Sequence, residues 1–449
     1  MSKQRIQLSD HFTYSRLLRF VLPCIGTMLF TSIYGIVDGL CVSNFVGKTA
    51  FAAVNLIMPL PMLLGTIGFM LGTGGSAIVG ITLGEGDQKK ADRYFTLFLL
   101  AALVSVSVLA VLGIVFLRPI AVLLGAKGEL LDYAVRYGRI LMVSLPTFAL
   151  QNMFQSFFVT AEKPHLGFWF TVGAGCTNIV LDVLMVGVWG WGVEGAAIAT
   201  FISQLVGGVL PVFYFIDRSN SSRLHLCKTS FYSKVLRDAC INGSSELMTN
   251  LSMSLVNILY NYQLLRLAGE NGVAAYGVIM YAAFLFVAVF VGYAVGSAPI
   301  VSFHYGARNH TEVHNLYRKS LRLIAVVAVT LTLASMFIIP CVARIFVGYD
   351  AELLALTSRA FRLYALSFLI MGFNVYASSF FTALGDGVTS ALISFLRTLV
   401  FQVIAILLLP LLLGIDGIWL AVTAAELAAL AVSAAMLLTK DKVFHYRKA

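Results

Sequence analysis

Twelve long apolar segments follow one another along the 449 residues, separated by short polar stretches. A helix needs roughly 20 apolar residues to cross the hydrocarbon core of a bilayer, and each segment reaches about that length. Within lipid a helix pairs its own backbone groups, so the sequence predicts an all-α integral membrane protein with twelve transmembrane helices. The segments are 17–45, 51–83, 94–117, 140–161, 166–189, 193–216, 239–265, 273–304, 323–347, 363–384, 388–413 and 418–438.

The composition leaves no room for a soluble domain beside these segments. Hydrophobic residues make up 59% of the chain and charged residues 12%, with a mean hydropathy of +0.89. A net charge of +10 would suggest a nucleic-acid partner for a soluble protein, but here Lys and Arg lie mostly between the apolar segments. We therefore expect no nucleic-acid partner. The six cysteines form no CxxC pair and predict neither a disulfide framework nor a metal site.

The distribution of Lys and Arg between alternate loops predicts the orientation. Of the 31 Lys and Arg residues, 21 fall on the side of the N-terminus, nine fall on the other side, and Arg397 lies within a segment. Positive residues prefer the cytoplasmic side of a membrane. The polar N-terminus also lacks the features of a removable signal peptide. We expect a multi-pass protein of the plasma (inner) membrane with both termini in the cytoplasm.

The chain repeats itself at an offset of 222 residues. VGKTAFAAVNLIM from Val46 aligns with AGENGVAAYGVIM from Ala268, and NMFQSFFVTA from Asn152 aligns with NVYASSFFTA from Asn374. Each half contains six segments, an even number, so both halves enter the membrane from the same side. The repeat predicts an N-lobe of residues 1–220, with helices 1–6, and a C-lobe of residues 221–449, with helices 7–12.

Two such lobes leave an interface at the centre of the bilayer, where transporters of this construction bind substrate and alternate access by rocking. The repeat and topology therefore favour a secondary transporter acting as a monomer in contact with membrane lipids. A channel more often assembles from short repeated chains. The sequence contains no HExxH, GxSxG or His-rich cluster that would indicate an enzyme.

Charged residues within the N-lobe segments suggest a cation site. Asp38 and Asp182 lie at similar predicted depths, and Asn178 shares a helix face with Asp182. Carboxylates with an amide and a hydroxyl can bind a hard cation or share a proton, although buried neutral acids could also serve packing alone. The positions 222 residues later carry no acid, which counts against packing. The predicted coupling site for H⁺ or Na⁺ is Asp38, Asn178, Asp182 and Thr200.

The C-lobe segments contain Glu246, Arg397 and Glu426. We expect Arg397 to form a structural ion pair with one of the two glutamates. A glutamate near an inter-lobe cavity would also attract cationic solutes, on which aromatic rings could stack. The predicted substrate-binding residues are Tyr34, Phe154, Phe157, Glu246, Tyr260 and Tyr281. The small-residue cluster Gly72–Ser76 lies within an apolar helix, so it predicts close helix packing rather than a phosphate loop.

Three stretches, GIVDGLCVSNFVG from Gly35, GTGGSAIVGITLGEGD from Gly72 and GYAVGSAPIVSFHYGARN from Gly292, resemble the MATE (multidrug and toxic compound extrusion) transporters. The resemblance covers nearly the whole chain and implies export of organic cations or amphipathic compounds in exchange for H⁺ or Na⁺, without an organic cofactor.

Asp38 matches the acid that the family carries in helix 1, and Asn178, Asp182 and Thr200 match a cation site found in part of the family. Glu246 matches an acid of helix 7 that the resemblance links to sodium coupling in other members of the family. That acid has a partner acid in helix 10, which has no counterpart here, because Asn374 and Tyr376 are neutral. This departure favours the N-lobe cation site. A lipid or oligosaccharide flippase of the same wider superfamily is the alternative function.

The orientation can be tested with single cysteines introduced at Lys90 and Lys127 in a cysteine-free background. We expect a membrane-impermeant maleimide added to intact cells to label position 127 and to leave position 90 unlabelled, because the Lys and Arg distribution places these loops on opposite sides. Labelling of position 90 from outside would reverse the assigned orientation.

Overall fold

The computed structural model describes residues 6–46, 48–348 and 350–447, and all regular secondary structure in these ranges is helical. The side chains of a few residues within these ranges, Asp38 among them, are outside the description. The prediction of an all-α membrane protein is confirmed. We number the helices α1 to α12 by the membrane segment to which each belongs.

The N-lobe comprises α1 to α6, and three of these helices are built from two consecutive pieces. The bounds are α1 Tyr14–Phe45, α2 Lys48–Ile57 and Pro59–Gly84, α3 Gln88–Leu123, α4 Gly128–Thr160, α5 Pro164–Asp182 with the π-helical turn Val183–Val188, and α6 Gly192–Gly208 and Leu210–Ile216.

The C-lobe begins with a continuous run, Ser233–Gly306, that is broken at Gly269, where φ is 60°. Only glycine adopts such a conformation readily, so this residue divides the run into α7 (233–268) and α8 (270–306). The remaining helices are α9 His310–Val347, α10 Ala351–Ala365 and Phe368–Ala383, α11 Gly387–Phe395 with the π-helical turn Leu396–Val400 and Phe401–Leu413, α12 Ile415–Thr439, and the short α13 Asp441–Phe444.

The helices account for the twelve predicted membrane segments. Nine helices of the described residues are long and apolar enough to span a bilayer, and ten if the two pieces of α10, bent by 46°, count as one span. That count includes the continuous run Ser233–Gly306 as a single helix, although α7 and α8 within it are two membrane segments. The polar beginning of α4 precedes an apolar stretch from Ile140, which is the remaining segment.

Backbone contact through glycines joins the two lobes on the side of the membrane where α1 begins, called here the N-terminal side. A Cβ added to Gly74 of α2 would overlap the backbone of Ala239 and Gly243 of α7. Nearer the membrane surface, Gly84 of α2 meets the backbone of Gly306 of α8 in the same way. The predicted packing role of the Gly72–Ser76 cluster is confirmed.

A second glycine contact extends this seal to α1. Gly292 of α8 lies against the backbone of Ile25, and Gly296, one turn later, lies against Cys24. Small residues allow helices to approach closely in a membrane, where packing rather than the hydrophobic effect drives association. The lobes are therefore closed against each other on the N-terminal side.

The Gly74→Ala substitution tests this seal. The new methyl group would meet backbone atoms, which cannot rotate away, and overpacking of this kind costs about 1–3 kcal/mol. We expect a lower midpoint of thermal unfolding in detergent. Gly277→Ala is the matched control because nothing lies within 4 Å of its Cβ position. Alanine favours helix over glycine, so the control should be unchanged or more stable. Equal midpoints for the two variants would contradict the seal.

Candidate functional site

A cavity of about 610 Å³ lies between the lobes, on the far side of the glycine seal. Its deep wall includes Ser76 of α2 and Ser245 of α7, close to the seal, and it extends to Pro59 and Met62 at the other end of α2. Met62 is 56% exposed. The volume is within the range of small-molecule sites, roughly 300–1,000 Å³. The cavity is thus placed to open on the side opposite the N-terminus.

Most of the cavity wall belongs to the C-lobe, and a stripe along α7 is its polar part. Glu246, Asn250, Met253, Asn257 and Tyr260 all line the cavity. Their spacing of i, i+4, i+7, i+11 and i+14 places them on one helix face. Of these residues, Glu246 and Tyr260 were predicted from the sequence, and the other three were not. The helical spacing of the polar residues is the signal that could have revealed the whole stripe.

Two carboxylates, those of Glu246 and Glu426, line the cavity, and only Glu246 has no positively charged partner among the described residues. The other charged lining residues, Arg397 and Glu426, neutralise each other. No hydrogen bond or ion pair joins the Glu246 carboxylate to another residue in the described part of the chain. The cavity surface therefore carries one uncompensated acidic group among hydroxyl, amide, methionine and aromatic side chains.

The expected ion pair between Arg397 and one of the two C-lobe glutamates is confirmed, and the structure identifies Glu426 as the partner. The Nε of Arg397 lies 2.8 Å from Oε1 of Glu426, whose side chain is completely buried. Asn374 of α10 donates to Oε2 of Glu426 at 2.7 Å and accepts a hydrogen bond from Ser433 at 2.9 Å. Asn374, the neutral residue at the position in helix 10 discussed above, therefore serves as a hydrogen-bond partner of Glu426. The pair belongs to a hydrogen-bonded network that fixes the guanidinium at the cavity wall.

The predicted aromatic residues do not converge on this cavity, with the exception of Tyr260. Phe154 and Phe157 lie on the opposite face of α4, packed in the buried core of the N-lobe. The centroid of Phe157 is 4.7 Å from that of Phe95, and Phe154 stacks on Phe215 at 5.5 Å. Ser156, between them in sequence, reaches the cavity instead.

The other two predicted aromatics also lie away from the cavity wall. Tyr281 is 44% exposed and stacks on Phe346 of α9, with centroids 6.4 Å apart. Tyr34 belongs to the N-lobe, where it packs beside Gly175 of α5. Rings that do line the cavity but were not predicted are Tyr276, Phe284 and Tyr364.

Asn178, Asp182 and Thr200, which were predicted to form a coupling site in the N-lobe, do not line this cavity. Asn178 is 2% exposed and Asp182 is completely buried, one turn apart on α5. Gly175, one turn earlier, admits the rings of Phe30 and Tyr34, so α1 lies close against this face. Asp38 follows Tyr34 by one turn on α1, although its side chain is outside the described residues.

Thr200 lies on α6, and its hydroxyl donates to the carbonyl of Ala196, one turn earlier, at 3.0 Å. The hydroxyl oxygen retains lone pairs that can accept or coordinate. No group of three His, Cys, Asp or Glu side chains with metal-binding geometry occurs within residues 6–46, 48–348 and 350–447. The role of Asp38, Asn178, Asp182 and Thr200 in ion coupling stays a prediction.

The family model MatE matches the chain twice, over residues 23–184 and residues 247–408, once in each half. The multidrug export protein MepA of Staphylococcus saprophyticus is 21% identical over 436 residues, covering 96% of this chain and 95% of its own length. MepA of Staphylococcus aureus strain MRSA252 is 21% identical over 441 residues, with the same coverage.

Solved structures share the complete fold. The crystal structure of MATE in complex with MaL6 has a TM-score of 0.92 at 23% identity, with 100% of both chains covered. The outward-facing conformation of a multidrug resistance MATE family transporter has the same TM-score, identity and coverage. A transporter of the MOP superfamily from Pyrococcus furiosus, described as having a binding pocket of reverse polarity, has a TM-score of 0.90 at 23% identity. At these identities the likeness concerns the fold.

Proposed function

Because the chain belongs to the MatE family, we propose that it is a secondary active transporter that exports small organic cations or amphipathic compounds in exchange for H⁺ or Na⁺. The full-length relatives in Staphylococcus are named multidrug export proteins, which supports export as the direction of transport. The protein acts in the plasma membrane with both termini in the cytoplasm. The function is transport rather than catalysis.

The observation that carries this proposal is the cavity between the lobes with the unpaired carboxylate of Glu246 in its wall. The attraction of this carboxylate for a cation is strong because the apolar surroundings screen it weakly. Tyrosine and methionine side chains supply adaptable apolar contact, which suits substrates of different shape. The substrate-binding residues proposed are Glu246 and Tyr260, with Asn250, Asn257, Tyr276 and Tyr364 beside them.

The position of the seal supports transport by alternating access. In the structure the lobes are closed on the N-terminal side and the cavity lies beyond. With the N-terminus in the cytoplasm this is an outward-facing state. Export requires an inward-facing state, in which the glycine contacts of α2 with α7 and α8 are separated. The two six-helix lobes rock against each other about the linker 217–232 between α6 and α7.

Ion coupling belongs to the N-lobe site of Asp38, Asn178, Asp182 and Thr200. Carboxylates near an amide and a hydroxyl can exchange a proton or hold Na⁺. Asn178 and Asp182 are buried and do not line the substrate cavity, so ion and substrate can bind separately. Binding at this site changes the packing of α1 against α5, and α1 also forms part of the seal through Ile25 and Cys24.

A flippase for a lipid-linked anionic sugar is less well supported by the cavity. Such a substrate carries negative charge and would be repelled by Glu246. Arg397 is the one basic residue lining the cavity in the described part of the chain, and its charge is balanced by Glu426.

Gradient-driven uptake of a cationic dye into proteoliposomes tests the function and the coupling site together. We expect wild-type transport with an imposed H⁺ or Na⁺ gradient, and at least a tenfold loss for Asp182→Asn and for Asp38→Asn, because an amide keeps the shape but cannot exchange a proton. Asp132→Asn is the control, since Asp132 is exposed near the start of α4.

Glu246→Gln should change dye preference more than ion dependence, because it alters the substrate cavity. Asp182→Asn protein that still drives uphill export with normal ion dependence would refute the coupling assignment. Wild-type protein that moves no dye under either gradient would refute the proposed transport of organic cations.

A further inference from the structure

Arg397 presents unused hydrogen-bond donors to the cavity. A guanidinium has five N–H groups, and this one uses its Nε for Glu426. No hydrogen bond joins either terminal nitrogen to another described residue. The side chain is 14% exposed and lines the cavity. A structural ion pair would be satisfied by Nε alone, so the terminal nitrogens are available to a ligand.

The network around Glu426 holds these donors in place. Glu426 is completely buried, and its two carboxylate oxygens are occupied by Arg397 and Asn374. Arg397 itself lies in the π-helical turn Leu396–Val400, a distortion of α11 of the kind often found at functional sites. A guanidinium fixed in this way loses little conformational freedom when it binds a carboxylate with its two terminal nitrogens.

The helix geometry separates Arg397 from Glu246 along the membrane normal. α7 and α11 both run away from the N-terminal side, and they touch where Gly387 packs on the backbone of Asn242. From this contact Glu246 is four residues along α7 and Arg397 is ten residues along α11. At about 1.5 Å per residue, Arg397 lies roughly 9 Å farther from the seal.

We propose that Arg397 is an anion-accepting subsite of the cavity, so that the protein favours amphipathic compounds carrying an anionic group at a distance of roughly 9 Å from a cationic one. Glu246 binds the cationic end and Arg397 binds the carboxylate or similar group. A simple anion is disfavoured because the three charged lining residues sum to a single negative charge. This inference rests on the proposed function. It adds a preference for compounds that carry both charges, which export of organic cations alone would not require.

Two dyes that differ in one group provide the test. Tetramethylrhodamine carries a delocalised cation and a carboxylate, and its methyl ester is the same cation without the carboxylate. Binding of each dye to detergent-solubilised protein is measured by fluorescence anisotropy. The variant is Arg397→Gln/Glu426→Gln, which removes both charges together, because removal of one partner would leave the other buried and unpaired.

The double variant should bind tetramethylrhodamine at least tenfold more weakly and bind the ester within about twofold of wild type. Arg397→Lys keeps the charge balance but loses the paired donors, so it should weaken the acid in the same direction. Glu246→Gln should weaken both dyes. If the double variant does not fold, Arg397→Lys decides the question alone.

Equal losses for acid and ester, or no loss for either, would overturn the subsite. Wild-type protein that binds the ester and not the acid would also overturn it, while the proposed export of cations would stand. Wild-type protein that binds neither dye would count against both proposals.

A second inference concerns the segment before α1, residues 6–13, which crosses between the lobes on the N-terminal side. The backbone N–H of Phe12 donates to Glu312 of α9 at 2.9 Å, and Nζ of Lys319 donates to the carbonyl of Phe12 at 2.6 Å. His11 contacts the other oxygen of Glu312 at 2.6 Å. Leu8 and Phe12 are completely buried. The segment continues into α1 of the N-lobe, and His11 and Phe12 are bound by α9 of the C-lobe.

Glu162, in the loop between α4 and α5, completes this arrangement. Its carboxylate accepts from the backbone N–H of Leu8 at 2.9 Å and pairs with Arg223 of the inter-lobe linker at 2.5 Å. The guanidinium of Arg223 in turn lies 4.8 Å from the ring centroid of Phe303 of α8. Segment, linker and both lobes are thereby joined at one place.

We infer that residues 6–13 form a clasp that holds the lobes together on the N-terminal side and must release Glu312 before that side can open. The clasp biases the protein toward the state whose cavity opens on the opposite side. It rests on the alternating access proposed above, but its test requires no transport.

Cys24 reports the state of the seal because it is 5% exposed and lies against Gly296 of α8. Its alkylation by N-ethylmaleimide in detergent is followed by peptide mass spectrometry. We expect Glu312→Ala to accelerate the reaction about tenfold, which corresponds to a shift of about 1.4 kcal/mol between the closed and open seal. Lys319→Met should accelerate it in the same direction.

The controls are Glu85→Ala and Lys89→Met, exposed residues on the same side and outside the clasp. Both should react at the wild-type rate, and all variants should show a cooperative unfolding transition. Cys24 reactivity within twofold of wild type in both Glu312→Ala and Lys319→Met would overturn the clasp. Accelerated alkylation without any transport activity would support the clasp while refuting the proposed function.

Discussion

The close approach of α2 to α7 and α8 is the constraint on which the rest of the structure depends. In a membrane there is no water to drive helices together, so contact requires surfaces that fit. Gly74, Gly84, Gly243 and Gly306 bring the backbones together over the N-terminal half of the interface. The contact continues as far as Met70 of α2, whose backbone meets Gly243, and nearer the other end of α2 the side chains of Met62 and Leu63 line the cavity. The cavity exists because the glycine contact ends partway across the membrane.

The two lobes share a fold but differ in their polar chemistry. The N-lobe buries Asn178 and Asp182 between its own helices, whereas the C-lobe presents Glu246 and Arg397 on the surface that faces its partner. A repeat needs equivalent packing, but it does not need equivalent charges. In the proposed function this division assigns the ion to one lobe and the substrate to the other, and α1 contacts both α5 and the seal.

The sequence was sufficient for the helices, for an ion pair between Arg397 and one of two glutamates, and for the packing role of the Gly72–Ser76 cluster. Each follows from a local rule: apolar length, the cost of an unpaired charge and the absence of a side chain. The choice of Glu426 over Glu246 required the structure. It was insufficient for the aromatic residues. Phe154 and Ser156 are two positions apart and face opposite ways, and only the neighbouring helices decide which of them meets the cavity. The polar stripe of α7 could be predicted from the sequence, because its helical spacing places the polar residues on one face whatever the neighbouring helices are.

The composition of the seal is compatible with the proposed separation of the lobes. The hydrogen bond that crosses it within the described part of the membrane interior is long, 3.5 Å from Nδ2 of Asn242 to the carbonyl of Gly74. The remaining contact is dispersion between small residues, and each atom pair contributes only about 0.1–0.2 kcal/mol. The stronger charge-assisted hydrogen bonds, to Glu162 and Glu312, lie at the membrane margin, where water can replace them when they break. The side chains of Glu312 and Glu162 are only 6% and 10% exposed in the closed structure, so opening of the N-terminal side must admit water to them as their partners are lost.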